Sequence, residues 1–257
     1  MLVLAFDTAT PAVTVALHDG TNVLAETTTV DARRHGELLA SSIDAMLAEA
    51  GADRLDITAV AAGTGPGPYT GLRAGLVTAR VLGSALGVPV YGVCTLDVIA
   101  ADVASTGAAR GQDFLVATDA RRREVYWARY DADGHRLDGP AVGYPADVAE
   151  TVAARAVAGS AAAGSAAAGR AAAGRAGAGR AADHQDRPGI LTAGAGALLY
   201  PGVLGEPIGP SYPAAGTLAR IAAQQFAAGL PGSGAEPIYL RRPDARVPGP
   251  PKRVTVP

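Results

Sequence analysis

Residues 4–10, LAFDTAT, decide the fold when set beside residues 115–121, LVATDAR. Each is a short apolar run suited to a buried strand, and each delivers an aspartate and a hydroxyl at its C-terminal end: Asp7 with Thr8, and Asp119 with Thr118. Each is then followed by hairpin chemistry. Ala12–Leu17 and Asn22–Val30 read as strands around the turn His18-Asp19-Gly20-Thr21, and Glu124–Tyr130 and Arg136–Val142 read as strands around Asp133-Gly134. Two halves of one design predict a duplicated α/β unit with a cleft between the halves.

Between those halves the chain alternates. A helix is expected from about His35 to Ala50, with Leu38, Leu39, Ile43, Met46 and Leu47 on one face and Gly51 ending it. A strand, Thr58–Gly63, runs into GTGPGPYTGLRAGLVTARVLG, residues 63–83. Glycine admits close backbone approach and proline fixes the chain between, so this turn is rigid and feeds a second helix. That helix repeats small residues at i, i+4 (Gly71, Gly75, Ala79, Gly83), although a helical glycine costs about 1 kcal/mol against alanine. Such a row leaves a groove in which another backbone can lie, from this chain or from a partner. A strand at Val88–Val93 follows, then a helix, Leu96–Ala104, for which Thr95 is the expected cap. Later come a strand at 189–193, the turn Gly194-Ala195-Gly196-Ala197, and a helix at Thr217–Ala228.

Domain limits are set at residues 1–107 and 108–230, with a Pro-rich extended tail at 231–257 that lies along the body. Residues 155–188 interrupt the second domain. They carry AVAGS, AAAGS, AAAGR, AAAGR and AGAGR in succession, with no large apolar group to bury, and are read as a disordered or partly helical insertion.

Composition excludes several classes. The 257 residues are 49% hydrophobic but 5% aromatic, so the core is aliphatic. A net charge of −2 draws the chain to neither nucleic acid nor membrane. Lys252, in the tail, is the only lysine among 22 basic residues, which rules out a GxxxxGK[ST] phosphate loop and lysine catalysis in the folded body. Cys94 is the only cysteine and sits in apolar VYGVCTLDV, the context of a buried structural thiol. No signal peptide and no run of roughly 18 apolar residues is seen, so a cytoplasmic protein is expected.

The opening MLVLAFDTAT, the segment 63–83, ATDARRREVYWARY, the AGAGA turn and the late EPIYLRRPDA together resemble the bacterial TsaB family, also called YeaZ. The resemblance implies two duplicated RNase H-like domains of the actin, sugar-kinase and Hsp70 superfamily. It also implies a role in making N6-threonylcarbamoyladenosine in tRNA. There TsaB is the dimerisation subunit that binds and activates the catalytic paralogue TsaD, with the ATPase TsaE as a further partner.

The residues themselves bear on catalysis. The catalytic paralogue carries two histidines one helical turn apart, whereas His18, His35, His135 and His184 include no i, i+3 or i, i+4 pair. No catalytic constellation and no metal site is therefore read in this chain. Nucleotide binding stays open. Asp7 and Asp119 match the superfamily's acidic pair, and Gly194 with Gly196 matches its adenosine-side turn. Yet Asp7-Thr8-Ala9-Thr10 lacks glycines to cradle phosphate. The cleft is read as vestigial, with ATP and magnesium held only weakly or at a subunit interface. The expected partner surface is the first two helices: His35, Leu39, Ile43, Gly71, Leu72, Gly75, Leu76, Ala79 and Gly83. The same surface would pair a second copy when the chain is alone. Rival readings are a small-molecule kinase or ATPase, or a directly catalytic threonylcarbamoyl transferase or glycoprotease relative.

Overall fold

A computed structural model describes residues 1–31, 34–155 and 190–241. Every residue of β1 (Val3–Asp7) is buried, as an unbroken apolar run in a central strand requires. It pairs antiparallel with β2 (Ala12–His18), which pairs antiparallel with β3 (Val23–Val30). On its other side β1 pairs parallel with β4 (Ala59–Gly63), and β4 with β5 (Val90–Val93). The resulting order is β3-β2-β1-β4-β5. Helix α1 (His35–Ala50) links β3 to β4, α2 (Tyr69–Leu86) links β4 to β5, and α3 (Thr95–Thr106) follows β5.

The second half repeats the plan. Its strands are β6 (Phe114–Asp119), β7 (Val125–Tyr130), β8 (Arg136–Gly143), β9 (Leu191–Ala193) and β10 (Glu206–Pro207), in the order β10-β9-β6-β7-β8. Again the first three are antiparallel and the last two are added parallel. A helix described over residues 145–155, α4, stands where α1 stands. The short α5 (Ala195–Leu199) replaces α2, and α6 (Ala215–Ala227) replaces α3. This is the duplicated α/β architecture expected from the sequence, and it puts the ends of β1 and β6, with Asp7 and Asp119, in equivalent places.

The last helix of each half packs on the other half's sheet. Leu218, Ala219, Ala222 and Ala223 of α6 close a core with Val3, Ala5, Ala59 and Ala61 of the first sheet. Leu96, Ile99, Ala100 and Val103 of α3 close one with Phe114, Val116, Ala128 and Leu191 of the second. The opposite face of the first sheet is covered by α1 and α2, and that of the second by Val148 and Val152 of α4 with Leu204. Residue 214, at the start of α6, is an alanine without a capping side chain. Glu26 from β3 accepts from the Gly216 N–H at 2.9 Å, and Asp102 from α3 accepts from the Thr217 hydroxyl, so two acids of the first half bind the start of the second half's last helix.

Three local expectations are corrected. Thr95 is not the cap of α3: Cys94 occupies that position, and the Thr95 hydroxyl is engaged elsewhere. The AGAGA segment is the start of a short helix as well as a turn. Helix α4 was missed. The expected insertion at 155–188 falls, beyond Arg155, outside the described residues. No helix among the described residues is long and apolar enough to cross a membrane.

Candidate functional site

Asp7 ends β1 and is 1% exposed. One carboxylate oxygen accepts the Ala9 N–H at 2.7 Å, and the other accepts the Thr95 hydroxyl at 2.7 Å. The Thr95 hydroxyl in turn accepts the Gly65 N–H at 3.1 Å, and the Thr95 N–H reaches the Gly65 carbonyl at 2.8 Å. Asp7 thereby ties the β1–β2 turn to the Gly/Pro turn and to the start of α3. Burial pushes its carboxyl above the usual carboxylate range; the Thr95 and Ala9 hydrogen bonds and the His35 charge pull the other way.

Thr8 explains the small-residue row. Its hydroxyl donates to the Gly71 carbonyl at 2.8 Å and accepts the Gly75 N–H at 3.1 Å. Those two groups are i−4 and i partners in α2, so the threonine hydroxyl bridges one rung of the helix's own ladder. Only glycine leaves room: a Cβ at Gly71 would lie 2.5 Å from the Thr8 carbonyl oxygen, and one at Gly75 2.5 Å from Thr8 Oγ1. Gly83, one turn beyond Ala79, faces Val90 and the Val88 carbonyl. Leu39, Ile43, Leu72, Leu76 and Ala79 are likewise buried in the first core. His35 is half-buried, and its Nε2 donates to the Thr10 carbonyl at 2.9 Å. The occupant of the row at Gly71 and Gly75 is thus the chain's own β1–β2 turn, and a larger side chain at Gly75 would collide with it. What the same helices offer to solvent is Val77 and Val81, 58% and 59% exposed and one turn apart.

Asp119 ends β6 and is partly open. It accepts the Arg121 N–H at 2.7 Å and pairs with the Arg121 guanidinium at 3.3 Å. Arg121, Arg122 and Arg123 all adopt positive φ, 61°, 57° and 64°. Left-handed backbone costs an L residue roughly 1–2 kcal/mol, so this turn is held by its surroundings. Gly194, at φ 87°, sits so close to the Ala117 carbonyl that no Cβ fits, and a Cβ at Gly196 would lie 2.8 Å from that of Ala117. Both glycines let α5 press on β6.

Asp7, Gly194 and Gly196 are each already engaged within the fold. The oxygens of Asp7 are engaged by a backbone N–H and a buried hydroxyl, and the adjacent turn spends its threonine on α2. The candidate glycines are filled by their own strand. Among the described residues, one group could hold a cation, Asp131, Asp133 and His135, in the β7–β8 turn. There Asp131 accepts the Asp133 and His135 N–H groups at 3.0 and 2.8 Å, which is ordinary turn chemistry. Cys94 is buried, and that burial, with Asp97 nearby, pushes its thiol up to about 12, as suits a structural residue.

The sequence does not show that Tyr69, Arg73, Tyr239 and Arg241 come together, from α2 and the tail. Tyr69 and Tyr239 rings stand 4.8 Å apart, with the Arg73 guanidinium 5.3 Å from the first and 5.9 Å from the second. Arg241 donates to the Ala120 carbonyl at 2.8 Å and pairs with Glu124. The signal was PIYLRR in the tail, but nothing local to that segment names its partners.

A family model described as TsaD, tRNA N6-adenosine threonylcarbamoyltransferase, matches residues 22–178. An uncharacterized Mycobacterium tuberculosis protein is 55% identical over 149 residues, which is 57% of this chain and 66% of that protein. The Escherichia coli tRNA threonylcarbamoyladenosine biosynthesis protein TsaB is 40% identical over 136 residues, 52% of this chain and 56% of that protein. The matches therefore span between about half and two thirds of these relatives' lengths. The structure of YeaZ from Pseudomonas aeruginosa superposes with a TM-score of 0.63 at 25% identity, covering 93% of this chain and 99% of that one. With its doubled sheet, its family match and these relatives, the chain belongs to the family of the tRNA N6-adenosine threonylcarbamoyltransferase TsaD, on the TsaB/YeaZ branch.

Proposed function

We propose that this chain is a non-catalytic scaffold subunit in the formation of N6-threonylcarbamoyladenosine in tRNA, binding and activating a TsaD-type catalytic subunit. The observation that carries the reading is the Asp7 network. In a nucleotide-using member of this fold that acid would serve a cation, whereas here its oxygens serve the Ala9 N–H and the Thr95 hydroxyl. Relatives named TsaB supply the pathway.

In this reading TsaD docks on the solvent side of α1 and α2, around Val77 and Val81, and the buried glycine row keeps that face rigid from beneath. The same face pairs two copies when the chain is alone. TsaE joins the complex, tRNA is the substrate of the whole assembly, and the setting is cytoplasmic. The chain keeps no resident cofactor, and ATP with magnesium is held no more than weakly.

Co-expression with TsaD and TsaE, followed by assay of tRNA modification with and without this chain, tests the proposal. Modification that depends on the chain, with no turnover by the chain alone, supports it. Turnover by the purified chain, or micromolar ATP–magnesium binding abolished by Asp7→Ala, contradicts it.

A further inference from the structure

We propose that residues 231–241 form a strap that sets the angle between the two halves, with Arg241 as its releasable end. The strap begins where α6 stops. Tyr91 donates to the Leu230 carbonyl at 3.0 Å, the Gly92 N–H to Ser233 Oγ at 2.9 Å and the Gly234 N–H to the Val90 carbonyl at 3.0 Å. These bonds cover the open edge of β5, which otherwise invites pairing with another chain. Next, Arg80 holds the Ala235 carbonyl at 2.8 Å, and Ala235 is fully buried in the core under α1 and α2. The Ile238 N–H reaches the Thr64 carbonyl at 2.9 Å, while the Ile238 side chain packs on the core of the second half.

Beyond Ile238 the character of the contacts changes. Tyr239 lies on Tyr69 and under Arg73, both in α2. The Tyr69 hydroxyl donates to the Arg241 carbonyl. The Arg241 guanidinium then crosses to the second half, where it holds the Ala120 carbonyl and Glu124 and stands 6.0 Å from the centre of the Tyr126 ring. The strap therefore runs from Thr64, beside the Asp7 network, to Ala120, beside Asp119. Its grip on the first half is spread over backbone bonds and buried apolar groups. Among the described residues, its polar grip on the second half is concentrated in the Arg241 guanidinium. A contact of that kind, made by one charged side chain, is the one that can open while the remainder stays in place.

The test uses spin labels on the full chain at Ala45→Cys, on α1, and Leu198→Cys, on α5; both positions are exposed, and the buried Cys94 takes no label. The expected result is one narrow distance distribution in the parent. In Arg241→Met and in Glu124→Gln it broadens or shifts by several ångström, and Arg241→Lys stays close to the parent. Hydrogen exchange of the Ala120 and Glu124 N–H groups should quicken about tenfold in the Arg241→Met chain, as local opening requires. Unchanged distance distributions in both the Met and the Gln variants overturn the proposal and leave 231–241 as a passive edge cover. Trp127 fluorescence reports whether each variant keeps its second half folded; should Arg241→Met fail that check, Glu124→Gln decides from the other side of the contact.

Discussion

Replacing Thr8 with valine removes one oxygen and almost no volume, and the structure assigns that oxygen two buried backbone partners, the Gly71 carbonyl and the Gly75 N–H. Valine puts a methyl against them, so both lose the partner that Thr8 supplies and neither finds water. Each unpaired buried group costs about 1–3 kcal/mol, which sets the expected loss at about 2–5 kcal/mol. Thr8→Ser keeps the hydroxyl and loses only a methyl, for about 1 kcal/mol. The partner substitution completes a cycle. Gly75→Ala gains about 1 kcal/mol of helix propensity but drives a Cβ to 2.5 Å from Thr8 Oγ1, an overpacking that costs about 1–3 kcal/mol. With Thr8→Ala already in place the clash is gone, and Gly75→Ala should turn neutral or stabilising, a coupling of about 1–3 kcal/mol. Urea unfolding followed by far-ultraviolet circular dichroism measures all four corners. A Thr8→Val chain within about 0.5 kcal/mol of the parent, or a Gly75→Ala cost equal in both backgrounds, refutes the argument that Thr8 fills the row.

Asp7 should betray its burial through pH. Its folded carboxyl lies above the ordinary range, so the stability it contributes is full below about pH 4, the unfolded value, and is lost as pH rises through the folded value. Asp7→Asn removes that loss, and the stability of the variant relative to the parent should improve from about pH 4 to about pH 7; a difference flat across that range contradicts the assignment. Cys94, with its thiol up at about 12, should resist a thiol reagent at pH 8 in the folded chain and react once urea unfolds it; prompt stoichiometric labelling of the native protein would show otherwise. Val77→Asp with Val81→Asp should leave the melting temperature within a degree or two, as exposed positions do, yet weaken TsaD binding about tenfold or more in calorimetry; unaltered affinity would place the docking face elsewhere.

The fold was legible because its two halves announce themselves at the same spot. LAFDTAT and LVATDAR became β1 and β6, central strands of two sheets with matching order. Gly51 and the helix before it also fell where the apolar spacing put them, with Gly51 at φ 63°. Helix α4 went unseen because residues 145–155 run straight into alanine-rich sequence; Val148 and Val152, one turn apart, were its faint signal. The site was harder. The row Gly71, Gly75, Ala79, Gly83 says that something approaches α2 closely, but a sequence pattern gives the width of a groove and not its occupant. That occupant, Thr8, lies more than 60 residues earlier in the chain. Thr95 shows the same limit. A threonine before an apolar run reads as a cap, until a distant carboxylate claims its hydroxyl and the helix start moves by one residue.

The central claim, that this chain supports a reaction without performing it, is met most directly by reconstituting tRNA modification from TsaD, TsaE and this chain carrying both Asp7→Asn and Asp119→Asn. The account predicts that threonylcarbamoyladenosine forms at the rate seen with the parent chain, because neither carboxylate touches a reacting group. Loss of modification by a variant that still folds and still binds TsaD would contradict it.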